Sequence, residues 1–176
     1  AGESGAGKSE IAASIAEKLA ESGYNSLIFG QDDYFRLPPK TNAKQRENDI
    51  SWVGPDEVRL DLLDRNIKDI LEGREKIRKP LVDFNADMIG EEEIETTGYK
   101  IIIAEGTYTT LLEHADCRVF IDRNRWDTRD ARQKRNRERQ DAFLEKILSI
   151  EHEIISKHKQ KADIVISRNF NASLNH

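Results

Sequence analysis

A chain of 176 residues has room for one domain with a real core and little for a second. With 37% hydrophobic and 35% charged residues and a net charge of −5, it suits a globular protein and argues against a dedicated nucleic-acid binder, which would be basic overall. Cys117 is the only cysteine, which excludes an intramolecular disulfide and suits a reducing, cytoplasmic setting; no apolar run approaches the roughly 20 residues that span a bilayer, and the opening residues do not read as a signal peptide.

The chain opens at Ala1 directly on a glycine-rich run. Such a loop normally hangs from the C-terminal end of a buried strand, so an apolar strand upstream of Ala1 is expected. From Ser9 to Ser22, Ile11, Ile15 and Leu19 recur at spacing four, which predicts an amphipathic helix that Gly23 ends. Residues 26–30 read as a buried strand. The polar stretch 36–54, with Pro38-Pro39 and mixed charges, is long for a plain connection and reads as a mobile functional loop.

Gly54-Pro55-Asp56-Glu57 reads as a helix start, with proline in the first turn and acids near the positive end of the dipole. Leu63, Ile67, Ile70 and Leu71 continue that helix and Gly73 stops it. Residues 74–99 are charged and read as a hairpin excursion around Leu81 to Phe84. Residues 100–106 form the clearest buried strand, and 117–122 and 163–167 read as two more. Between these two lies a long helical region in which Phe143, Ile147, Ile150 and Ile154 share a face. Short apolar strands alternating with helices predict an α/β fold, one domain over residues 1–176 with a parallel central sheet and helices on both sides.

Gly2-Glu3-Ser4-Gly5-Ala6-Gly7-Lys8-Ser9 matches G-x-x-x-x-G-K-[ST], the P-loop pattern, in full. Its glycines let the backbone wrap inward, so that N–H groups from Glu3 through Ser9 point at phosphate oxygens. The helix that follows adds its N-terminal dipole. Lys8 can reach the β- and γ-phosphates of ATP, and the Ser9 hydroxyl can ligate Mg²⁺. The bland alternative is a glycine-rich turn that caps a helix. A GTPase would also carry an N-K-x-D guanine reader, which is missing. Asp87-Met88-Ile89-Gly90 fits the short D-x-x-G switch pattern, but no clear strand leads into it and it reads as a turn.

Gln31-Asp32-Asp33-Tyr34-Phe35 follows directly after the second expected strand, where an open α/β sheet lines its ligand crevice. A carboxylate there could accept an acceptor hydroxyl's proton or hold Mg²⁺ through water, or could merely make an Asx-turn. Glu105 ends the Ile101–Ile103 strand, the place for an acid that organises Mg²⁺ or its water shell; any polar residue can also cap a strand as it surfaces. From Arg123 to Arg139 there are eight basic residues. Arg125, Arg129 and Arg132 are spaced to share a helical face and could fold over the nucleotide as a lid spanning 123–140, with guanidinium groups neutralising charge on the transferred phosphoryl. A solvated face paired with Asp127, Asp130 and Glu138, or a nucleic-acid patch, are the competing readings. His114, His152, His158 and His176 show no zinc or triad spacing and read as surface residues.

Taken together, GESGAGKS, QDDYF, WVGPDEVRLDLL, PLVDF, IIIAEG, VFIDRNRWDTRDAR and KADIVISRN resemble, in that order and over nearly the whole chain, the uridine kinase and phosphoribulokinase group of P-loop kinases. The resemblance implies the three-layer α/β/α fold of P-loop NTPases, with an arginine-rich helical lid and a small substrate-side excursion. It implies phosphate and Mg²⁺ roles for Lys8 and Ser9, Asp32 as catalytic base and metal neighbour, Glu105 assisting the metal, and Arg129 and Arg132 as lid arginines. Arg125 and the loop at Arg168 and Asn169 would lie against the nucleotide, and Tyr34, Asp56, Asp83 and Phe84 would line the acceptor. Nucleoside-specific members typically show Asp-His-Pro-Asp where this chain has Val53-Gly54-Pro55-Asp56, and Tyr-Asp-Phe where it has Val82-Asp83-Phe84. A histidine expected shortly afterwards aligns near Asp87. Those differences fall in the acceptor pocket and leave the phosphoryl-transfer residues in place.

The leading reading is therefore an ATP-dependent kinase for a small-molecule alcohol: uridine or cytidine by resemblance, otherwise another nucleoside, a sugar phosphate or a vitamin-like alcohol. A nucleotide-dependent switch without a small acceptor is the alternative from a different class. An RNA-binding role for the arginine run is opposed by the acidic balance. Family members often assemble into homo-oligomers.

Overall fold

The computed structural model describes residues 1–129, 132 and 141–175. Helix α1 (Lys8–Glu21) starts at Gly7, whose φ of 93° only glycine adopts freely, and ends before Gly23 at φ 82°. Strand β1 (Ser26–Gly30) follows. Helix α2 (Pro39–Asn48) occupies much of the stretch expected to be a mobile loop, and a 3-10 turn at Ile50–Trp52 takes up more of it. Its sequence, Pro-Lys-Thr-Asn-Ala-Lys-Gln-Arg-Glu-Asn, offers no apolar period to read, so its anchors are tertiary. The Asp87 carboxylate accepts from Lys40 N at 2.6 Å and from Thr41 Oγ1 at 3.0 Å, and Arg46 pairs with the fully buried Glu57.

The Gly54-Pro55-Asp56-Glu57 signal likewise makes only a 3-10 turn, Pro55–Glu57. Helix α3 (Leu60–Leu71) begins five residues after that proline, burying Leu63 and Ile67. Full burial of one such side chain contributes roughly 1.5–3 kcal/mol. The charged excursion is a hairpin of β2 (Lys76–Asp83) and β3 (Met88–Glu95), in antiparallel register from Lys76↔Glu95 to Asp83↔Met88. Asp87 of the D-x-x-G pattern sits in its turn at φ 54°.

Strand β4 (Ile101–Glu105) pairs in parallel with β1, setting Gly30 opposite Glu105. Strand β5 (Val119–Ile121) pairs in parallel with β6 (Ile164–Ile166), and β7 (Ala172–Leu174), which the sequence reading did not anticipate, returns antiparallel along β6. Helix α4 (Ala142–Ile155) is capped by the Asp141 carboxylate. It buries Leu144, Ile147, Leu148, Glu151 and Ile155, a face rotated from the expected Phe143, Ile147, Ile150 and Ile154.

Where a strand is expected to lead into the glycine loop, Ala1 and Gly2 run alongside β5: Ile121 N donates to Ala1 O at 2.9 Å, and Gly2 bridges Ile121 in parallel. On the β4 side, Ile101–Ile103 line a cavity of about 360 Å³ together with Ala12, Ile15, Ile67 and Val119. The main core joins Phe29, Tyr34, Val58, Leu63, Ile67, Tyr108, Phe120 and Ile155. A smaller cluster of Ala6, Ile121 and Ile166 seats the glycine loop on the sheet. No described helix is long and apolar enough to cross a membrane.

Candidate active site

The glycine loop turns on Gly5 and Gly7, at φ 78° and 93°. Within it, the Glu3 carbonyl accepts from Ala6 N at 3.1 Å and from Lys8 Nζ at 2.9 Å. The loop is therefore closed on itself, and the lysine ammonium lies over it. Gly5 also faces the arginine-rich segment: a Cβ there would lie 2.9 Å from Arg132 Cγ.

The pairing of β1 with β4 decides the acidic side. Because Gly30 sits opposite Glu105, the chain leaving β1 enters a 3-10 turn, Gln31–Tyr34, beside that carboxylate. Gln31 is buried and its Oε1 accepts from Tyr108 N at 2.7 Å. It lies so close that a Cβ on Gly106 would come 2.2 Å from Gln31 Cβ. That contact fixes the turn, and Asp32 stands exposed at the crevice. Ser9 Oγ donates to Glu105 Oε1 at 2.9 Å. Burial raises the Glu105 carboxyl above the ordinary carboxylate range; the Ser9 hydrogen bond and the Lys8 charge oppose that rise, and Asp32 adds to it. Ser9, Lys8 and Asp32 are thus the polar neighbours of the Glu105 carboxyl.

Among the described residues no three His, Cys, Asp or Glu side chains gather as a metal cage. The oxygen pair of Ser9 and Glu105, with Asp32 near, fits Mg²⁺, which keeps most of its waters and leans on phosphate oxygens.

The arginines divide. Arg132 is buried: its Nη1 donates to Arg125 O at 2.8 Å and to Thr128 Oγ1, against Gly5. The Arg125 guanidinium stacks 4.6 Å over the Trp126 ring and donates to Glu145 O at 3.4 Å, turned toward α4. Arg129 is exposed. Lys134, Arg135, Arg137 and Arg139, together with Asp130 and Glu138, lie outside the described residues. Arg168 and Asn169 are exposed in the turn after β6. The neighbour that the sequence reading missed is Phe170, held at φ 62° with its ring 3.7 Å from where a Gly7 Cβ would be and 4.8 Å beneath the Arg123 guanidinium. A phenylalanine at positive φ is strained, a feature no sequence pattern announces.

Of the expected acceptor residues, Tyr34 is contradicted, because its side chain lies in the core. Tyr34 is fully buried, its Oη accepts from Asn66 Nδ2 at 2.9 Å, and burial pushes its phenol up to about 12; it is a core residue. Asp83 turns its carboxylate back on the hairpin, accepting from Asn85 N and Ala86 N at 2.9 Å each. Asp56 is exposed, and its backbone carbonyl accepts from Arg36 Nε at 2.9 Å. Phe84 is half exposed at the hairpin turn.

Three unassigned groups hold the surrounding walls. Asp33 accepts from Lys79 Nζ at 2.6 Å and Val82 N at 3.2 Å, tying the hairpin to the Asp32 turn. Arg46 donates to both Glu57 oxygens, at 2.6 and 3.0 Å, and lies 3.6 Å from Glu151 of α4. Glu57 also accepts from Gly54 N and Asn42 Nδ2, joining α2, the 55–57 turn and α4. The histidines are not idle surface groups. His158 is buried against Thr110, His114 pairs with Asp64 at 2.6 Å, and His152 pairs with Glu3 of the glycine loop at 2.6 Å. Residue type alone could not show these partners; His176 lies outside the described residues.

Residues 1–174 match the model of the Phosphoribulokinase / Uridine kinase family. A bifunctional alpha-galactosidase/sucrose kinase of Mediterraneibacter gnavus is 23% identical over 181 residues, covering 95% of this chain and 19% of that protein. A uridine kinase of Ureaplasma urealyticum is 29% identical over 126 residues, covering 69% of this chain and 59% of the relative. The chain thus spans about a fifth and three-fifths of these two relatives. The phosphoribulokinase of Rhodobacter spheroides superposes with a TM-score of 0.68 at 13% identity, over 94% of this chain and 67% of that one. The fold is that of a P-loop kinase.

Proposed function

Since the chain belongs to the phosphoribulokinase and uridine kinase family, we propose that it is an ATP-dependent small-molecule kinase that transfers the γ-phosphoryl of Mg-ATP to an acceptor hydroxyl. The observation that carries this reading is the Ser9–Glu105 hydrogen bond at the head of α1, with the exposed Asp32 carboxylate beside it on the neighbouring strand end. Donor phosphates and acceptor oxygen would meet between these groups.

In this mechanism the loop amides from Glu3 to Ser9 and the Lys8 ammonium orient the β- and γ-phosphates. The Asp32 carboxylate takes the proton of the attacking hydroxyl as its oxygen bonds the γ-phosphorus, and the bond from that phosphorus to the β-bridging oxygen breaks to release ADP. Ser9 and Glu105 would hold Mg²⁺, and the ion would offset the negative charge of the phosphates. Arg129 and Arg132 would draw charge from the transferred group, and Arg125, stacked on Trp126 and turned toward α4, would have to swing away from both to reach the nucleotide. The acceptor would be a nucleoside or a sugar-like alcohol, the classes that the relatives, a uridine kinase and a sucrose kinase, take.

ADP release from Mg-ATP, measured against a panel of nucleosides, sugars, sugar phosphates and vitamin alcohols, tests the reading. One acceptor should stimulate turnover far above the blank. ATP binding with silence across the whole panel would move the weight to a nucleotide switch.

A further inference from the structure

A carboxylate inside a phosphate loop is a liability, because it would repel the triphosphate it surrounds. Glu3 is such a residue, and it is only 7% exposed. Its Oε1 lies 2.6 Å from Nδ1 of His152 on α4, and since a carboxylate only accepts, Nδ1 is the donor. The same residue's carbonyl oxygen carries both Ala6 N and Lys8 Nζ. Whatever fixes the Glu3 side chain therefore fixes the turn on which the phosphate-binding lysine rests. His152 also packs in a T-shaped pair with the Trp126 ring, centroids 5.7 Å apart, and the Arg125 guanidinium stacks on that same indole.

We propose that His152 is a positioning residue for the phosphate loop, drawing the Glu3 carboxylate out of the phosphate cradle and so presenting the loop amides and Lys8 to the nucleotide. The proposal rests on reading residues 2–9 as the cradle for ATP. It gives α4, which the sequence shows only as an amphipathic helix, a direct link to the donor side of the site.

The test compares displacement of a fluorescent ADP analogue by ADP and by adenosine. His152→Ala should weaken ADP about tenfold, the scale of one hydrogen bond to a charged group, and leave adenosine unchanged, because only the phosphates feel the freed carboxylate. His152→Asn, whose amide nitrogen can stand near Nδ1, should restore most of that loss. The decisive variant is His152→Ala with Glu3→Ala, which removes the carboxylate as well and should bind ADP more tightly than His152→Ala alone. Should His152→Ala fail to fold, Glu3→Gln keeps an acceptor oxygen without charge and should bind ADP at least as tightly as wild type. A double variant weaker than the single, a parallel loss of adenosine, or weaker binding by Glu3→Gln overturns the proposal. Wild-type protein that does not bind ADP overturns the cradle reading itself.

Discussion

Ser9 and Glu105 lie 96 positions apart, and the Ser9 hydroxyl donates to the Glu105 carboxylate at 2.9 Å. One belongs to the first turn of the helix after the glycine loop, the other to the last position of a strand. Their meeting joins the glycine loop's helix to an acidic strand end, so the part each plays can be tested through the other.

Glu105 should leave a signature in pH. Burial raises its pKa, so the folded protein holds this proton more tightly than the unfolded chain does. Its favourable contribution is then present at acid pH and is lost as pH rises from the ordinary value of 4.5 through the raised folded one. Glu105→Gln removes that slope. Thermal melts without nucleotide should show the variant gaining on wild type from acid to neutral pH, while phosphoryl transfer falls by roughly 10- to 100-fold. A difference in melting temperature that stays flat with pH would contradict the burial argument.

Asp32 is exposed at the crevice, so its removal should cost little structure. Asp32→Asn should keep nucleotide affinity and lower transfer by on the order of 10²–10⁴, the usual size of a general-base contribution. Calorimetric ATP binding beside an ADP-release assay separates the two. Retained transfer would remove Asp32 from the role of base.

Arg46 and Glu57 form a pair in which Glu57 has no exposure and the Arg46 side chain 12%. Arg46→Met would leave a buried carboxylate without its guanidinium and should cost about 3–5 kcal/mol. Replacing Glu57 by Gln in the same chain should recover part of that loss, because the uncompensated charge is gone. Urea denaturation of the two variants decides it; equal losses would mean that packing of the Arg46 stem, not charge, dominates.

Tyr34 can be tested as a core residue rather than an acceptor contact. Tyr34→Phe removes the phenol that accepts from Asn66 and should cost about 1 kcal/mol of stability. Since the ring is fully buried, the acceptor KM should not move. A raised KM with unchanged stability would return Tyr34 to the acceptor.

The glycine loop was legible because it sets particular residues at fixed spacing over eight consecutive positions. Strands β1 and β4 were legible because they are short apolar runs, and the hairpin was glimpsed in its excursion. Helix α2 was not legible: its residues carry no apolar period, and what holds it is Asp87 on a distant turn and Glu57 on another. Tyr34 is buried for a related reason, since standing two positions after Asp32 in sequence does not decide which way a 3-10 turn points a ring.

By itself the sequence determined the glycine loop, the α/β alternation and the acids at two strand ends, since local patterns of glycine, charge and hydrophobic period suffice for these. Only the tertiary structure decided that Glu105 meets Ser9, that His152 holds Glu3, and that Phe170 stacks on Arg123. Each of those pairs joins distant segments whose approach is set by parallel strand register and core packing, and a linear pattern of residue types carries no record of register between strands far apart in the chain.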